Sequence, residues 1–240
     1  WCAAYSPATL PGTPTASAEV YDAVAKAWSG AGSMTTARGN QRVWALGGGR
    51  FLFGWEEGGQ VWVRLGTRER LGAPVRLSTA GAAQITLAAG GTPLSIVAAW
   101  SERNGARDST RFADLRVDAP SLKLIAATPH WVAPSPADQL YPALAVANGR
   151  ATLAWEDRAE GHTVLMVTSR ETGKAWSPPR VLNAQLSRRS DTFGRGTGVA
   201  RPVLTTVMNR TVAAAWLDKR HFESGYDVYA AITDPRTQYF

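Results

Sequence analysis

Cysteine is almost absent from this chain, and its absence removes two ways of stabilising a fold. Cys2 is the only cysteine among 240 residues, which excludes an intrachain disulfide and a structural zinc site built on cysteines. The three histidines, His130, His162 and His221, lie far apart and lack the short spacing of histidine metal motifs. The sequence therefore predicts neither a bound metal nor a cofactor.

Long apolar runs and helical heptads are missing as well. No stretch reaches the ~18 consecutive apolar residues of a membrane-spanning helix, so we expect no transmembrane segment. The chain is instead rich in Trp, with 10 residues, and carries 23 Gly and 14 Pro along its length. Aromatic strands joined by frequent turns fit this composition better than a helical bundle does.

The net charge of +7 and the pI near 10.0 raise the question of a nucleic-acid partner. The densest basic runs, Arg64–Arg70 and Arg188–Arg189, are short and interrupted. No basic helix and no aromatic and basic motif for single strands accompanies them. We therefore expect a protein or carbohydrate partner rather than a nucleic acid.

One unit recurs four times along the chain. Each copy reads as an apolar strand, a tight turn and a second apolar strand that ends in Trp: Val43–Trp55, Ile85–Trp100, Ala143–Trp155 and Val203–Trp216. Gly and Asn in the turns tolerate the positive φ that short hairpins need. A further strand follows in each unit, so the repeat predicts an all-β propeller of four to five blades, complete or incomplete, built from four-stranded antiparallel meanders.

A carboxylate stands two positions after every repeated Trp, and a cation follows it in three of the four units. Because the loop after the second strand lies beside the start of the first, these groups are expected at one mouth of the axial channel, with Arg42, Tyr141 and Arg201 near the strand starts. The set predicted as a ligand or partner face is Glu57, Glu102, Arg103, Asp157, Arg158, Asp218, Arg220 and His221.

Two interpretations of this set stay open. A ring of carboxylates and guanidiniums can hold a polar or anionic ligand by charge-assisted hydrogen bonds. Alternatively, each acidic residue caps a turn by accepting backbone N–H groups, and the following Arg pairs with a neighbouring blade. The adjacent carboxylates Glu56–Glu57 and Glu156–Asp157 point to opposite sides of an extended strand, so neither pair forms a hydrolase signature.

The octapeptide Ser169–Trp176 resembles the Asp-box of sialidase-type β-propellers, with the pattern Ser-x-Asp-x-Gly-x-x-Trp. Ser169, Gly173 and Trp176 match this BNR-type repeat, and Glu171 stands where the family has Asp. The resemblance implies a structural box in the turn between the third and fourth strands, with its Trp packed between blades. It also implies a secreted, periplasmic or cell-surface protein.

The N-terminal region admits two structures. Val20–Ser29 repeats the layout of Val164–Ser177 and shares Lys-Ala-Trp-Ser with it, which favours residues 18–36 as the outer half of a blade. The same residues also place Val20, Val24 and Trp28 on one face of a helix. We expect residues 1–17 to form an extended lead-in or linker and residues 18–240 the propeller, which this segment closes by strand exchange or which belongs to a larger or two-chain ring.

The functional expectation follows from what the sialidase pattern lacks. Sialidase catalysis requires three arginines, a Tyr activated by Glu and an Asp, but the nearest arginine motif, Ala200-Arg201-Pro202, lacks the aromatic and the spacing of the family. Catalytic residues are therefore not assigned. The sequence predicts a non-catalytic binding and interaction module that recognises a partner protein or a carbohydrate; the alternative is an exo-sialidase-like glycoside hydrolase.

Overall fold

The fold consists of small antiparallel sheets. The computed structural model describes residues 2–3, 17–22, 26–33, 39–118, 120–158, 163–183, 199–208, 210–219, 225–234 and 240. Within these residues every element is a β-strand, and no helix has the length and apolar character needed to cross a membrane. The strands form a four-bladed β-propeller and a separate N-terminal sheet, which confirms the predicted fold class.

Blades 1 and 2 occupy the first half of the propeller. Blade 1 contains β4 (Gly39–Gly47), β5 (Arg50–Glu57), β6 (Gln60–Thr67) and β7 (Val75–Arg76), paired in chain order. Blade 2 contains β8 (Ala82–Gly90), β9 (Ser95–Asn104), β10 (Arg107–Asp118) and β11 (Lys123–Ala126), and the short β12 (His130–Trp131) also pairs with β10.

Blades 3 and 4 complete the described propeller. Blade 3 contains β13 (Gln139–Ala147), β14 (Arg150–Asp157), β15 (Val164–Glu171) and β16 (Arg180–Val181). Blade 4 contains β17 (Val199–Val207), β18 (Thr211–Asp218) and β19 (Asp227–Ile232). Among the described strands β19 pairs with β18 alone, so the predicted strand exchange with the N-terminal segment is not observed there.

Among the described strands, those of the N-terminal sheet pair only with one another. β1 (Cys2–Ala3), β2 (Ser17–Asp22) and β3 (Ala27–Ser33) form three antiparallel strands in chain order. The strand interpretation of this segment is therefore confirmed over the helical one. Residues 4–16, which make up most of the predicted lead-in, lie outside the described residues, so the boundary between lead-in and propeller stays a prediction.

The predicted hairpins lie where the repeat places them. Gly48 and Gly49 in blade 1 and Asn148 and Gly149 in blade 3 all have positive φ, between 49° and 71°. Such left-handed turns match the twist of the strands that they join. In blade 4 the described residue with positive φ is Met208, and its neighbour Asn209 lies outside the description.

The hydrophobic core lies between the blades, in successive clusters. Trp100 of blade 2 is buried with Leu52 and Val63 of blade 1, and Trp155 of blade 3 is buried with Val97 of blade 2. Trp216 continues the series between blades 3 and 4. An aromatic side chain that buries about 150–250 Å² stabilises the fold by about 4–6 kcal/mol at ~25 cal/mol per Å². The repeated Trp therefore packs blades 2, 3 and 4 each onto the blade before it.

The close approach of blades 1 and 2 at Gly72 predicts the first mutational effect. A Cβ at Gly72 would lie 2.2 Å from the carbonyl oxygen of Leu122. We expect Gly72→Ala to lower the free energy of unfolding by about 1–3 kcal/mol, the usual cost of overpacking, in a urea titration. Gly105→Asn is the control, because Gly105 has open space around its Cβ position and a φ of 64° that Asn tolerates. Equal midpoints for Gly72→Ala and the wild type would contradict this close contact.

Candidate functional site

The first strand of every blade carries a β-bulge opposite the repeated Trp. The pairing of β4 with β5 shifts register between Gly39 and Arg42, and β8, β13 and β17 shift at the equivalent places. The first residue of each bulge has positive φ. These bulge residues are Asn40 (45°), Gln84 (62°), Tyr141 (52°) and Arg201 (55°).

Positive φ at these residues raises the conformational free energy of the backbone. A left-handed residue other than Gly is disfavoured by about 1–2 kcal/mol, and a bulky residue such as Tyr141 or Arg201 rarely adopts it. Such strain persists only where surrounding contacts hold it, and it concentrates at functional sites. Its recurrence at one position of all four blades makes this ring of residues a candidate functional site.

The four bulges surround one axial cavity of about 430 Å³. Its lining residues come in four matching groups, at positions 40 and 42–44, 84–87, 141–144 and 201–204. Ile85, Leu87 and Leu144 supply apolar surface. The larger polar side chains in the lining are Asn40, Arg42, Gln84, Tyr141 and Arg201. The cavity therefore combines apolar walls with a small set of convergent polar groups, as ligand sites commonly do.

Glu56 links blade 1 to the bulge of blade 2. Its Oε1 accepts hydrogen bonds from the backbone N–H groups of Gln84 and Ile85, the second at 3.2 Å, and from the side-chain amide of Asn40 at 2.8 Å. Its Oε2 makes no hydrogen bond with the described residues, and the side chain is half-buried. Glu56 is thus a carboxylate with one oxygen fixed and the other without a partner among the described residues, in direct contact with three cavity-lining residues.

The links to blades 3 and 4 use other side chains. Gln84 Oε1 accepts the Tyr141 N–H at 2.6 Å and the Ser101 hydroxyl at 2.9 Å. Glu156 Oε1 accepts the Arg201 N–H at 2.8 Å, and its Oε2 accepts from Arg158 at 3.2 Å. Each bulge after the first is therefore held by a side chain of the preceding blade.

Two arginines, Arg42 and Arg201, lie in the cavity lining. The guanidinium carbon of Arg201 lies 3.5 Å from the ring centroid of Tyr141, a close cation–π contact. Arg42 donates to the backbone oxygen of Gln41 at 3.1 Å. No carboxylate is among the described lining residues, so the charge of both guanidiniums is available to a polar or anionic ligand.

The carboxylates predicted to form the ligand face mostly bind their own Trp. Glu57, Glu102 and Asp218 accept the indole N–H of the Trp two residues earlier, at 2.9, 2.7 and 3.2 Å. The i, i+2 spacing on a strand places both side chains on one face. Asp157 accepts the Ser135 hydroxyl at 2.9 Å. Each of these four hydrogen bonds is donated by a side chain.

The cations that follow these carboxylates contact residues of their own blades. Arg103 is 3.5 Å from Asp108, and Arg158 is 3.2 Å from Glu156. Lys219 lies 4.3 Å from the ring centroid of Tyr226. Arg220 and His221 lie outside the described residues. A ligand-binding role for the predicted face stays a prediction, and its described members are not in the cavity lining.

The Asp-box segment spans the last residues of β15 and the turn that leads to β16. Gly173 has a φ of 75°, Glu171 pairs with Arg150 at 3.2 Å, and the Ser169 hydroxyl accepts from Arg150 at 3.4 Å. The Trp176 ring meets Phe112 of blade 2 edge-on at 5.4 Å. The turn therefore has the location that the resemblance implies, while membership of the sialidase repeat family is not confirmed.

The sequence interpretation missed the residues that hold the cavity. Glu56, Gln84 and Glu156 were absent from the predicted site, although the position directly after the repeated Trp carries Glu in two of the four units. The signal was the recurrence of this residue type at one position. Adjacent carboxylates point to opposite sides of a strand, so the pairs do not form a hydrolase signature. The same divergence directs one carboxylate of each pair to the next blade.

Comparison with solved structures supports the β-propeller fold. No protein-family model and no curated protein sequence matches the chain. An alpha-L-arabinanase of Penicillium chrysogenum, solved with arabinobiose, is similar with a TM-score of 0.54 and 13% identity over 84% of this chain. An alpha-L-arabinofuranosidase of Fusarium graminearum is similar with a TM-score of 0.53 and 13% identity over 95% of this chain. A protein of unknown function from Dyadobacter fermentans has a TM-score of 0.54 and 14% identity over 83%.

These similarities establish the fold and correct one expectation. The chain spans 64% of the arabinanase, 70% of the arabinofuranosidase and 54% of the Dyadobacter protein. The prediction of a non-catalytic binding module is wrong, because the similar structures of stated activity are glycoside hydrolases. The sialidase resemblance is confirmed only at the level of the β-propeller.

The buried partners of Glu102 predict a stability effect. This carboxylate is 3% exposed and accepts from Trp100 and from Arg111, both at 2.7 Å. We expect Glu102→Ala to lower the free energy of unfolding by about 3–5 kcal/mol, because it leaves a largely buried guanidinium without its counter-ion. Glu69→Ala in an exposed loop is the control. Thermal unfolding measures both, and a Glu102→Ala midpoint equal to that of the control would contradict the structural role.

Proposed function

We propose that this chain is a glycoside hydrolase that binds its substrate in the axial cavity. The observation that supports this most directly is the convergence of one strained bulge residue from each blade on a cavity of about 430 Å³. Sites of roughly 300–1,000 Å³ suit small ligands, so this volume fits one or two sugar units. Polar groups on an apolar wall match the hydroxyls and ring faces of a sugar.

Two groups are candidates for the chemistry. Glycoside hydrolysis adds water to the anomeric carbon, breaks the glycosidic C–O bond and delivers a proton to the leaving oxygen; most such enzymes use carboxyl groups for these steps. Glu56 offers a carboxylate oxygen without a partner among the described residues, held in place through its other oxygen. Tyr141 offers a phenol in the cavity lining. Glu156 is 2% exposed and bonded through both oxygens, so we assign it no bond-breaking role.

Arabinose-containing glycans are the first substrate class to test. The similar structures include an arabinanase with bound arabinobiose and an arabinofuranosidase with a bound iminosugar inhibitor. Neutral furanosides carry several hydroxyls, which Asn40 and the two cavity arginines can bind. We therefore expect release of arabinose or short arabino-oligosaccharides.

The test is hydrolysis of linear arabinan and of 4-nitrophenyl α-L-arabinofuranoside. We expect Glu56→Gln to lower kcat by about 10²–10⁴-fold, the usual contribution of a positioned acid, base or nucleophile. Glu57→Gln is the matched control. Its side chain points to the other side of β5 and binds Trp55, an interaction that an amide oxygen preserves, so its activity should equal that of the wild type.

Two results would contradict the proposal. One is the absence of product from arabinan, from arabinosides and from a wider panel of aryl glycosides at high enzyme concentration. The other is equal activity of Glu56→Gln and Glu57→Gln, which would place the chemistry elsewhere.

Arg42 and Arg201 favour a second candidate, a sialidase-like hydrolase of a carboxylate-bearing sugar. Guanidiniums bind carboxylates bidentately, and no described carboxylate in the lining competes for them. On this candidate, Arg42→Ala raises KM for a 4-methylumbelliferyl sialoside at least ~10-fold, as expected for one lost charge-assisted contact. Activity on neutral arabinosides together with none on sialosides would exclude it.

A further inference from the structure

We infer that Gln84 and Glu156 are positioning residues that act across blade boundaries. Through hydrogen bonds to the backbone of the next blade they hold the left-handed conformation of Tyr141 and Arg201, and so fix two side chains that line the cavity. The inference deepens the proposed function and rests on it for the role of the cavity. Neither residue is assigned a bond-breaking step.

The two contacts have the same geometry, but the acceptor is a carboxylate oxygen in one and an amide oxygen in the other. Glu156 in blade 3 accepts the Arg201 N–H of blade 4 at 2.8 Å. Gln84 in blade 2 accepts the Tyr141 N–H of blade 3 at 2.6 Å. In both cases a side-chain oxygen of one blade binds the backbone N–H of a bulge residue in the next, and that residue has a φ between 52° and 55°.

Comparison of the blades explains why Gln84 is the residue of blade 2 that accepts the hydrogen bond from the next bulge. The position directly after the repeated Trp is Glu56 in blade 1, Ser101 in blade 2 and Glu156 in blade 3. Both glutamates bind the next bulge directly. Ser101 is too short to do so, and its hydroxyl instead donates to Gln84 Oε1 at 2.9 Å. Gln84 thereby supplies the acceptor that the serine lacks.

The two positioned residues also depend on each other. The Arg201 guanidinium carbon lies 3.5 Å from the Tyr141 ring centroid, so displacement of either backbone disturbs the same stacked pair. Glu156 is itself held by Arg158 at 3.2 Å and is 2% exposed. A buried acceptor of this kind is fixed before any ligand arrives, which preorganises the cavity.

The experiment measures backbone amide hydrogen exchange by NMR without substrate, and then KM and kcat on the glycoside that the wild type hydrolyses. Glu156→Ala removes the acceptor of Arg201, whereas Glu156→Gln keeps an acceptor oxygen without the charge. Gln84→Gly removes the acceptor of Tyr141 and tolerates the φ of 62° at this position. Glu171→Ala, at a carboxylate whose side chain is 63% exposed, is the control.

We expect exchange of the Arg201 amide to accelerate at least ~10-fold in Glu156→Ala and to stay within about 2-fold of the wild type in Glu156→Gln. In Gln84→Gly the Tyr141 amide should accelerate in the same way. KM should rise in Glu156→Ala and Gln84→Gly with kcat changed by less than about 3-fold, because substrate binding is lost rather than bond cleavage. Glu171→Ala should leave all of these values unchanged.

Unchanged exchange of the Arg201 and Tyr141 amides in Glu156→Ala and Gln84→Gly would overturn the inference. So would a Glu156→Gln variant as impaired as Glu156→Ala, because charge rather than hydrogen bonding would then be responsible. If Glu156→Ala does not fold, Gln84→Gly decides the question at Tyr141. A wild type that hydrolyses no glycoside contradicts the proposed function alone, since the exchange rates are measured without substrate.

Discussion

The burial of one Trp from each of blades 2, 3 and 4 against the preceding blade is the interaction on which the described propeller depends. Trp100, Trp155 and Trp216 each stand in the second strand of a blade and join the apolar cluster shared with the blade before. The carboxylate two residues after Trp100 and after Trp216 accepts the buried indole N–H. In blades 2 and 4 a polar atom that burial would otherwise leave unpaired is thereby satisfied, whereas the buried indole N–H of Trp155 in blade 3 has no hydrogen-bond partner among the described residues.

The bulges follow the same repeat and build the cavity. Each lies opposite the repeated Trp, and its first residue adopts positive φ beside the axis. Strain at Tyr141 and Arg201 is sustained by hydrogen bonds from the preceding blade, so the packing that joins blades also shapes the site. A cavity made in this way is rigid, because a change at one bulge has to be accommodated by its neighbours. Glu56, with one oxygen held and the other without a described partner, contacts three of the residues that line this cavity.

The fold could be predicted because its signals are local and repeated. Hairpin turns at Gly48–Gly49 and Asn148–Gly149, the alternation of the strands and the Trp at their ends all follow from residue type and period. The site could be predicted only in part. Arg42, Tyr141 and Arg201 were expected near the strand starts, and all three line the cavity. The residues that hold them were missed, since Glu156 acts on Arg201 across 45 positions of sequence.

The amino-acid sequence by itself determined the all-β class, the four repeated hairpins and the position of a Trp in each, because apolar periodicity and turn residues act over a few neighbours. Only the tertiary structure decided which side of each strand faces the next blade. That choice directs Glu56 to the bulge of blade 2 and Glu57 to the indole of its own Trp, although the two residues are adjacent and alike in chemistry. Side chains on opposite sides of a strand have different surroundings, and these surroundings exist only once the blades have packed.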